Sequence, residues 1–459
     1  MKLQIVQAIK SIDELASFCK RAGFVFPSFE IYGGLAGFYD YGPRGVELKN
    51  NIKAAWWKSI VQDREDVVGI DAVTVNHPKV WEASGHVASF TDPLVDCKNC
   101  KSRFRADHIA KELFDADVGA MSVKDISELL KLKNARCPKC KGELTEARKY
   151  NLMFKTHVGP IETDENVAYL RPETAQMIYL NFRLTQESAR LKLPFGIAQV
   201  GRAYRNEIAP RDFLFRVREF EQMEMQYFIK PGENKKFFEQ WKKERLRWYL
   251  SLGIKKENLR FREHRSTELA HYAKAAVDIE YKFPWGWGEI EGIHDRGDWD
   301  LTQHSKVSGK DLSYFDDATK KRFVPNVIEV SAGVDRAFLA FMCNAYMTEK
   351  ERIVLKLNPK LSPIKVAVFP LVRNDKRIVK FAGNVFTELK KRFTAYYDAS
   401  GNIGKSYRRQ DEIGTPVCIT VDFDSLKKKD VTVRDRDTMR QKRVKIKELK
   451  EYLEKKFGF

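Results

Sequence analysis

The run Phe195–Phe228, FGIAQVGRAYRNEIAPRDFLFRVREFEQMEMQYF, decides how the chain is read. Both ends alternate with period two, so each reads as a β-strand whose successive side chains leave on opposite faces. Arg205 and Glu207 share one face of the first strand, and Met223, Met225 and Tyr227 share one face of the second. Phe220, Gln222 and Glu224 lie on the other face. A charged loop with Pro210, Arg211 and Asp212, followed by Arg216 and Arg218, joins the strands. With the Met/Tyr side buried, the opposite face presents arginines, carboxylates and an aromatic ring. Arginine forks suit phosphate oxygens, a phenyl ring suits a purine, and carboxylates suit a metal ion or an ammonium group. An ion-paired sheet face is the plain alternative, but a bare Phe among arginines is costly without a stacking partner.

Arg205-Asn206-Glu207, the loop and Arg218-Glu219-Phe220 resemble motif 2 of the class II aminoacyl-tRNA synthetases. The wider run is similar to that of the dimeric glycyl-tRNA synthetases. Other stretches carry the same resemblance in the same order. Leu48 to Pro78 looks like motif 1, which builds the family's dimer interface. Trp81 to His86 (WEASGH), Phe90 to Pro93 (FTDP) and Tyr169 to Gln176 (YLRPETAQ) match glycyl enzymes, and Gly333 to Arg336 (GVDR) looks like motif 3. GNIGKSYRRQDEIGTP, from Gly401, resembles the anticodon-binding domain shared by glycyl-, prolyl-, threonyl- and histidyl-tRNA synthetases.

The resemblance implies an α/β (α+β) fold: a class II antiparallel-sheet catalytic core over residues 1–360 and an α/β anticodon-binding domain over 361–459. A zinc-ribbon-like insertion at 94–150 and a charged helical segment at 232–265 interrupt the core. It implies a glycine–tRNA ligase that uses ATP and Mg²⁺, binds tRNA(Gly) and works as a homodimer. Residue by residue, it assigns Arg205, Glu207 and Arg336 to catalysis. Arg105, Glu173, Glu224, Arg296, Glu329 and Ser331 would meet glycine, with Arg296 on its carboxylate. Arg205, Asn206, Glu207, Phe215, Arg216, Arg218, Phe220, Glu289, Ile290, Gly333 and Arg336 would meet ATP. Glu289 and Glu329 would hold magnesium.

Composition sets the bounds around this reading. The 459 residues are 43% hydrophobic, enough for two or three packed domains. Lys plus Arg number 82 against 63 acidic residues, a net +19, which favours a polyanionic partner. The most apolar run, Ala337 to Met347, is too short to span a bilayer, so no membrane partner is expected. The first twenty residues lack the pattern of a signal or transit peptide. Seven cysteines, four of them in Cys-x-x-Cys pairs, suggest a reducing, cytoplasmic setting and a metal rather than disulfides.

Those pairs are Cys97/Cys100 and Cys137/Cys140, separated by 36 residues that a helical segment near Asp107–Lys131 would fill. Two such knuckles offer four thiolates to one tetrahedral zinc. Four thiolates leave no open position, so the expected role is structural. Lys98, Lys101, Arg103, Arg105, Lys139 and Lys141 around them fit contact with RNA.

The rest reads more simply. Residues 11–22 form a helix capped by Ser11, Val46–Val61 a helix, and Val67–Val75 and Asn151–Phe154 strands. Residues 232–250 form a charged amphipathic helix, whose charged face reads as solvated rather than as a site. Glu289 and Glu291 alternate along one strand, facing ATP by resemblance. Leu357–Pro363 is a linker. Gly401–Ser406 tempts a phosphate-loop reading, but position 399 is Ala399 where that pattern needs glycine. The tail from Ser425 carries 13 Lys/Arg against 6 acids, which fits contact with an RNA backbone. The competing readings are a synthetase for serine, proline or threonine, a non-catalytic RNA-binding paralogue, and a zinc-dependent nucleic-acid binder.

Overall fold

A computed structural model describes residues 7–114, 121–265, 269, 273–349 and 352–458. The N-terminal part of the chain is built on seven strands: β1 (Val67–Gly69), β2 (Phe195–Tyr204), β3 (Glu219–Ile229), β4 (Leu259–Glu263), β5 (Ala275–Phe283), β6 (Gly286–Gly297) and β7 (Asn326–Gly333). Their order across the sheet is β4-β5-β6-β7-β3-β2-β1. All neighbours are antiparallel except β1, which runs parallel to β2.

One face of this sheet is apolar. Met223, Met225 and Tyr227 of β3 are fully buried, as the alternation requires. Three helices cover them: α1 (Pro43–Trp57), α2 (Asn234–Ser251) and α3 (Val334–Ala345). Helix α1 starts on Pro43, whose missing N–H costs nothing there, and turns Leu48, Ile52 and Trp56 inward. The other face is polar yet also enclosed, with Gln222, Glu224 and Gln226 at 9%, 2% and 0% exposure.

Several local expectations change. The strand expected over Val67–Val75 is two short ones, β1 and Val75–Asn76, which join different sheets. The strand expected at Asn151–Phe154 is broken at Leu152–Met153, between Arg148–Asn151 and Phe154–His157. The charged segment 232–265 is α-helical over Asn234–Ser251, makes one 3-10 turn at Lys256–Asn258 and ends as edge strand β4. Helix α2 buries an apolar face, as an amphipathic helix should, with Phe237, Trp241, Trp248 and Tyr249 inward, and Arg245 is buried with them. Arg245 is paired with Glu291 of β6 at 2.5 Å, both essentially without solvent exposure. A helix rich in lysine, arginine and glutamate is docked here by its aromatics and one desolvated ion pair.

The insertion is a three-stranded sheet (Thr91–Asp96, Arg103–Arg105, Arg148–Asn151) carrying helices Ala106–Phe114 and Val123–Leu132. The long helix expected near Asp107–Lys131 is therefore two, and residues 115–120 lie outside the described set. Beyond the linker, a five-stranded sheet begins at Val366–Pro370 and packs its own apolar core with helices Lys376–Lys390 and Ile446–Phe457. Asn402 caps helix Ile403–Ile413 through Gly404 N–H at 2.9 Å, so the GNIGKS run is a helix start. The linker is not loose, since Leu357, Leu361 and Ser362 are buried. Asp411 joins the halves by accepting from Arg352 and Arg434, at 2.7 Å each.

Candidate active site

The β2–β3 hairpin and the β7–α3 junction wall a cleft of about 130 Å³. Arg205, Glu207, Phe215, Arg216, Phe220, Glu289, Ser331, Gly333 and Arg336 all line it. Arg205 prolongs the hairpin pairing through its N–H to Arg218 O at 2.9 Å. Its Nε donates to Pro172 O at 3.0 Å, and its guanidinium lies 5.3 Å from the Phe220 ring centre. Among the described residues nothing hydrogen-bonds its terminal nitrogens. Glu207 is buried, and its Oε2 has no hydrogen-bond partner; the nearest cation, Arg216, is 3.7 Å away. Arg336 lies 4.3 Å from the Phe215 ring centre and pairs with Glu289 at 3.0 Å.

Three of the expected ATP residues sit outside this lining. Arg218 braces the hairpin, donating to Glu207 O at 3.0 and 2.8 Å and to Ala36 O. Asn206 ties the hairpin to the base of the insertion through its N–H to Leu152 O at 2.7 Å. Ile290 belongs to the hydrophobic core. It is also the extra residue of a β-bulge: Glu280 faces Glu289 while Ile279 faces Glu291. The bulge sends the two glutamates to opposite faces. Glu291 therefore does not face the cleft as expected; it turns to Arg245.

Gln222 and Ser331 connect the cleft to a deeper acidic pocket. Gln222 Oε1 accepts from Thr174 N–H at 3.1 Å, and Gln222 Nε2 reaches Ser331 Oγ at 3.4 Å. Glu173 sits beside His86 at 3.3 Å and accepts from Gln176 at 2.9 Å. Glu224 accepts from the Thr174 hydroxyl and from Gln226 at 2.8 Å. Glu329 accepts from Gln226 and Arg296, both at 3.0 Å, and lies 2.6 Å from His294 Nδ1. Arg296 is fixed by Asp300, which accepts from Nε and Nη2 at 2.8 Å each.

Burial opposes the charge of all three glutamates, and their neighbours then divide them. His86 and Arg296 hold the Glu173 carboxyl well below its usual range. Arg296 and His294 hold Glu329 down to about 2. Glu224 goes the other way: burial, then Glu329 and Glu173, push its carboxyl well up. The pocket holds more carboxylate than it can keep ionised, and a small cation would relieve it.

Arg105 is held by Asp92 at 2.5 Å and Asp107 at 2.6 Å. Burial opposes its charge, and Asp107, Asp92 and Glu207 outweigh that cost. Glu289 and Glu329 each have cations of their own, Arg336 for the first and Arg296 with His294 for the second.

The four knuckle cysteines have their sulfurs within 4.8 Å of one another, with Cys97–Cys140 at 3.4 Å and Cys100–Cys137 at 3.7 Å. Tetrahedral zinc with Zn–S of about 2.3 Å needs sulfurs roughly 3.8 Å apart, so the set fits zinc. The two knuckles share one backbone pattern. Lys101 and Lys141 each take positive φ and donate their N–H to the carbonyl of Cys97 or Cys137. All described cysteines are free thiols.

Comparison with known proteins bears on the family and the fold. Residues 154–346 match the model described as tRNA synthetase class II core domain (G, H, P, S and T), and residues 365–456 match the anticodon binding domain. The glycine–tRNA ligase of Caldanaerobacter subterraneus subsp. tengcongensis is 50% identical over 459 residues, covering 98% of this chain and 99% of that one. The chain belongs to the glycine–tRNA ligase family. Glycine–tRNA ligases of Treponema denticola (96% of this chain, 95% of that one) and Clostridium acetobutylicum (97% and 99%) are each 51% identical to it. A Giardia lamblia prolyl-tRNA synthetase in complex with prolyl-adenylate has the same fold, with TM-score 0.65, 15% identity, and coverage of 96% of this chain and 76% of that one. The class II core and anticodon-binding domain expected from the sequence are thus present, and the chain is an aminoacyl-tRNA ligase.

Sequence reasoning assigned no role to Thr174, Gln176, Gln226, His294 or Asp300, all of which orient the acidic pocket. One signal was available: Gln226 follows Gln222 and Glu224 at period two. Asp300 meets Arg296 across the turn from strand β6 into the helix Trp299–Ser308, which no local periodicity announces.

Proposed function

We propose that this chain activates glycine with ATP and transfers the glycyl group to the 3′ end of tRNA(Gly). The carrying observation is the acidic pocket of Glu173, Glu224 and Glu329 opening through Gln222 and Ser331 onto a cleft with an unpaired arginine fork. An ammonium group fits the first and a phosphate fits the second. Arg205, whose Nε is anchored beside Glu173 at Pro172 O, stands where the two meet.

In the first step a glycine carboxylate oxygen attacks the α-phosphorus, and the bond to pyrophosphate breaks as the new P–O bond forms. Two anions must approach, so positioning and electrostatic stabilisation carry the rate. Arg205 holds the α-phosphate and the attacking carboxylate. Phe220 stacks on the adenine, Glu207 offers its free oxygen to a donor on ATP, and Arg216 and Arg336 meet the outer phosphates. Arg296, oriented by Asp300 and Glu329, faces the glycine carboxylate, while the glutamates take its ammonium. Close packing around the buried glutamates would reject larger amino acids by steric block. Magnesium bound with ATP would neutralise phosphate charge, with Glu289 the carboxylate best placed to assist it. In the second step a hydroxyl of the terminal ribose attacks the adenylate carbonyl and AMP leaves.

The net +19 charge and the anticodon-binding domain support tRNA as the partner. Homodimerisation through the Leu48–Pro78 segment, structural zinc on the knuckles and a cytoplasmic site complete the proposal. Among the described residues no helix is long and apolar enough to cross a membrane. A non-catalytic RNA-binding paralogue is not favoured, since it would need neither the acidic pocket nor the open arginine fork. Charging assays with labelled glycine and tRNA(Gly) transcript test the proposal: glycyl-tRNA should accumulate with ATP and magnesium. Binding of the transcript without charging would overturn it.

A further inference from the structure

The β3–β7 ladder ends at Gln222↔Gly333, because the chain turns from β7 into α3 at Val334. The next residue outward on β3 is Glu221, followed by Phe220 at the cleft wall. Glu221 N–H is not left unpaired: it donates to Asp335 Oδ2 at 2.9 Å. The buried Asp335 carboxylate thus prolongs the ladder by one residue where no strand remains. Its Oδ1 accepts from the Tyr41 hydroxyl and from Lys49 Nζ at 3.3 Å. Lys49 also pairs with the Glu221 carboxylate at 2.8 Å and lies 4.0 Å from the Tyr41 ring centre.

Asp335 itself lines the cleft, as do two chain neighbours of the cluster: Phe220 beside Glu221, and Arg336 beside Asp335. We propose that Tyr41, Lys49, Glu221 and Asp335 form a positioning cluster that sets the spacing between Phe220 and Arg336, and so the fit of ATP. Tyr41, Lys49 and Glu221 lie outside the cleft lining and act only through it. The cluster leaves the acidic pocket alone, because its contacts run to α1 and to the segment before it. The inference rests on the ATP reading of the cleft given above.

The test separates ATP from glycine. Tyr41→Phe removes one hydroxyl and keeps the ring; Asp335→Asn removes the charge and keeps the shape. Binding of a non-hydrolysable ATP analogue, measured calorimetrically without glycine, should weaken about fivefold for the first and tenfold or more for the second. In pyrophosphate exchange, KM for ATP should rise in step while KM for glycine moves less than twofold. Asp335→Asn could fold poorly, so Tyr41→Phe, with an unchanged melting temperature, decides. ATP-analogue affinity within twofold of the parent overturns the proposal, as does a parallel rise of both KM values. A parent that binds the analogue but exchanges with no amino acid would sink the proposed function and leave the binding comparison readable.

Discussion

Glu224→Gln isolates the acidic pocket with the least disturbance. Glu224 is 2% exposed and shares its pocket with Glu173 and Glu329. Gln keeps the shape, an oxygen for the Gln226 amide and an NH₂ that can donate to the Thr174 hydroxyl. What goes is one carboxylate facing the substrate ammonium. A hydrogen bond to a charged group is worth about 1.5–3 kcal/mol. At 1.4 kcal/mol per tenfold, the span is roughly tenfold to hundredfold in glycine affinity. The lower end is expected, because burial and two like charges already push the Glu224 carboxyl up, and part of the ammonium's energy goes into ionising it. The same repulsion makes a stability prediction: removing it should leave the melting temperature unchanged or higher. The assay is pyrophosphate exchange with varied glycine and with varied ATP, beside a thermal melt. Glycine KM should rise at least tenfold, with ATP KM within twofold. An unchanged glycine KM would refute the reasoning. So would a loss of several degrees with both KM values raised, which would mark Glu224 as structural.

Further outcomes follow from particular contacts. A bound ammonium favours ionised Glu224, so it lowers that raised pKa and glycine binding releases a proton. Calorimetry in buffers of different ionisation enthalpy should show release, with affinity rising from pH 6 to pH 8; proton uptake would contradict this. Elemental analysis should find one zinc per chain, and thiol modification should release it; no zinc, from protein with four reactive knuckle thiols, would remove the metal. Arg245→Met leaves Glu291 buried and unpaired, costing about 3–5 kcal/mol, whereas Arg245→Met with Glu291→Met should recover most of that loss in a thermal melt. Equal destabilisation by the single and double variants would show that packing, not charge, governs the site.

Much of this was legible in the chain because period-two alternation and short motifs are local. Met223, Met225 and Tyr227 could be placed inside, and Arg205, Glu207 and Phe220 in one cleft, from spacing and resemblance alone. What escaped depended on counts and distances that spacing does not carry. Alternation treats Glu289 and Glu291 as equivalent, and one bulged residue, Ile290, sends them to opposite faces. Helix α2 reads as amphipathic, but nothing local marks Arg245 as a buried charge; its partner Glu291 lies 46 positions away. Arg218 reads as a phosphate ligand by type, yet nearby carbonyls claim it. The Asp335 cluster joins residues 286 and 294 positions apart, beyond any local pattern.

The central claim is that one cleft joins an ATP site to a pocket for the smallest amino acid. Amino-acid-dependent ATP–pyrophosphate exchange, run without tRNA on glycine beside alanine, serine, proline and threonine, measures that junction directly. Exchange with glycine alone is the predicted result. Exchange with a larger amino acid at comparable efficiency, or with none from folded protein supplied with magnesium and zinc, would contradict it.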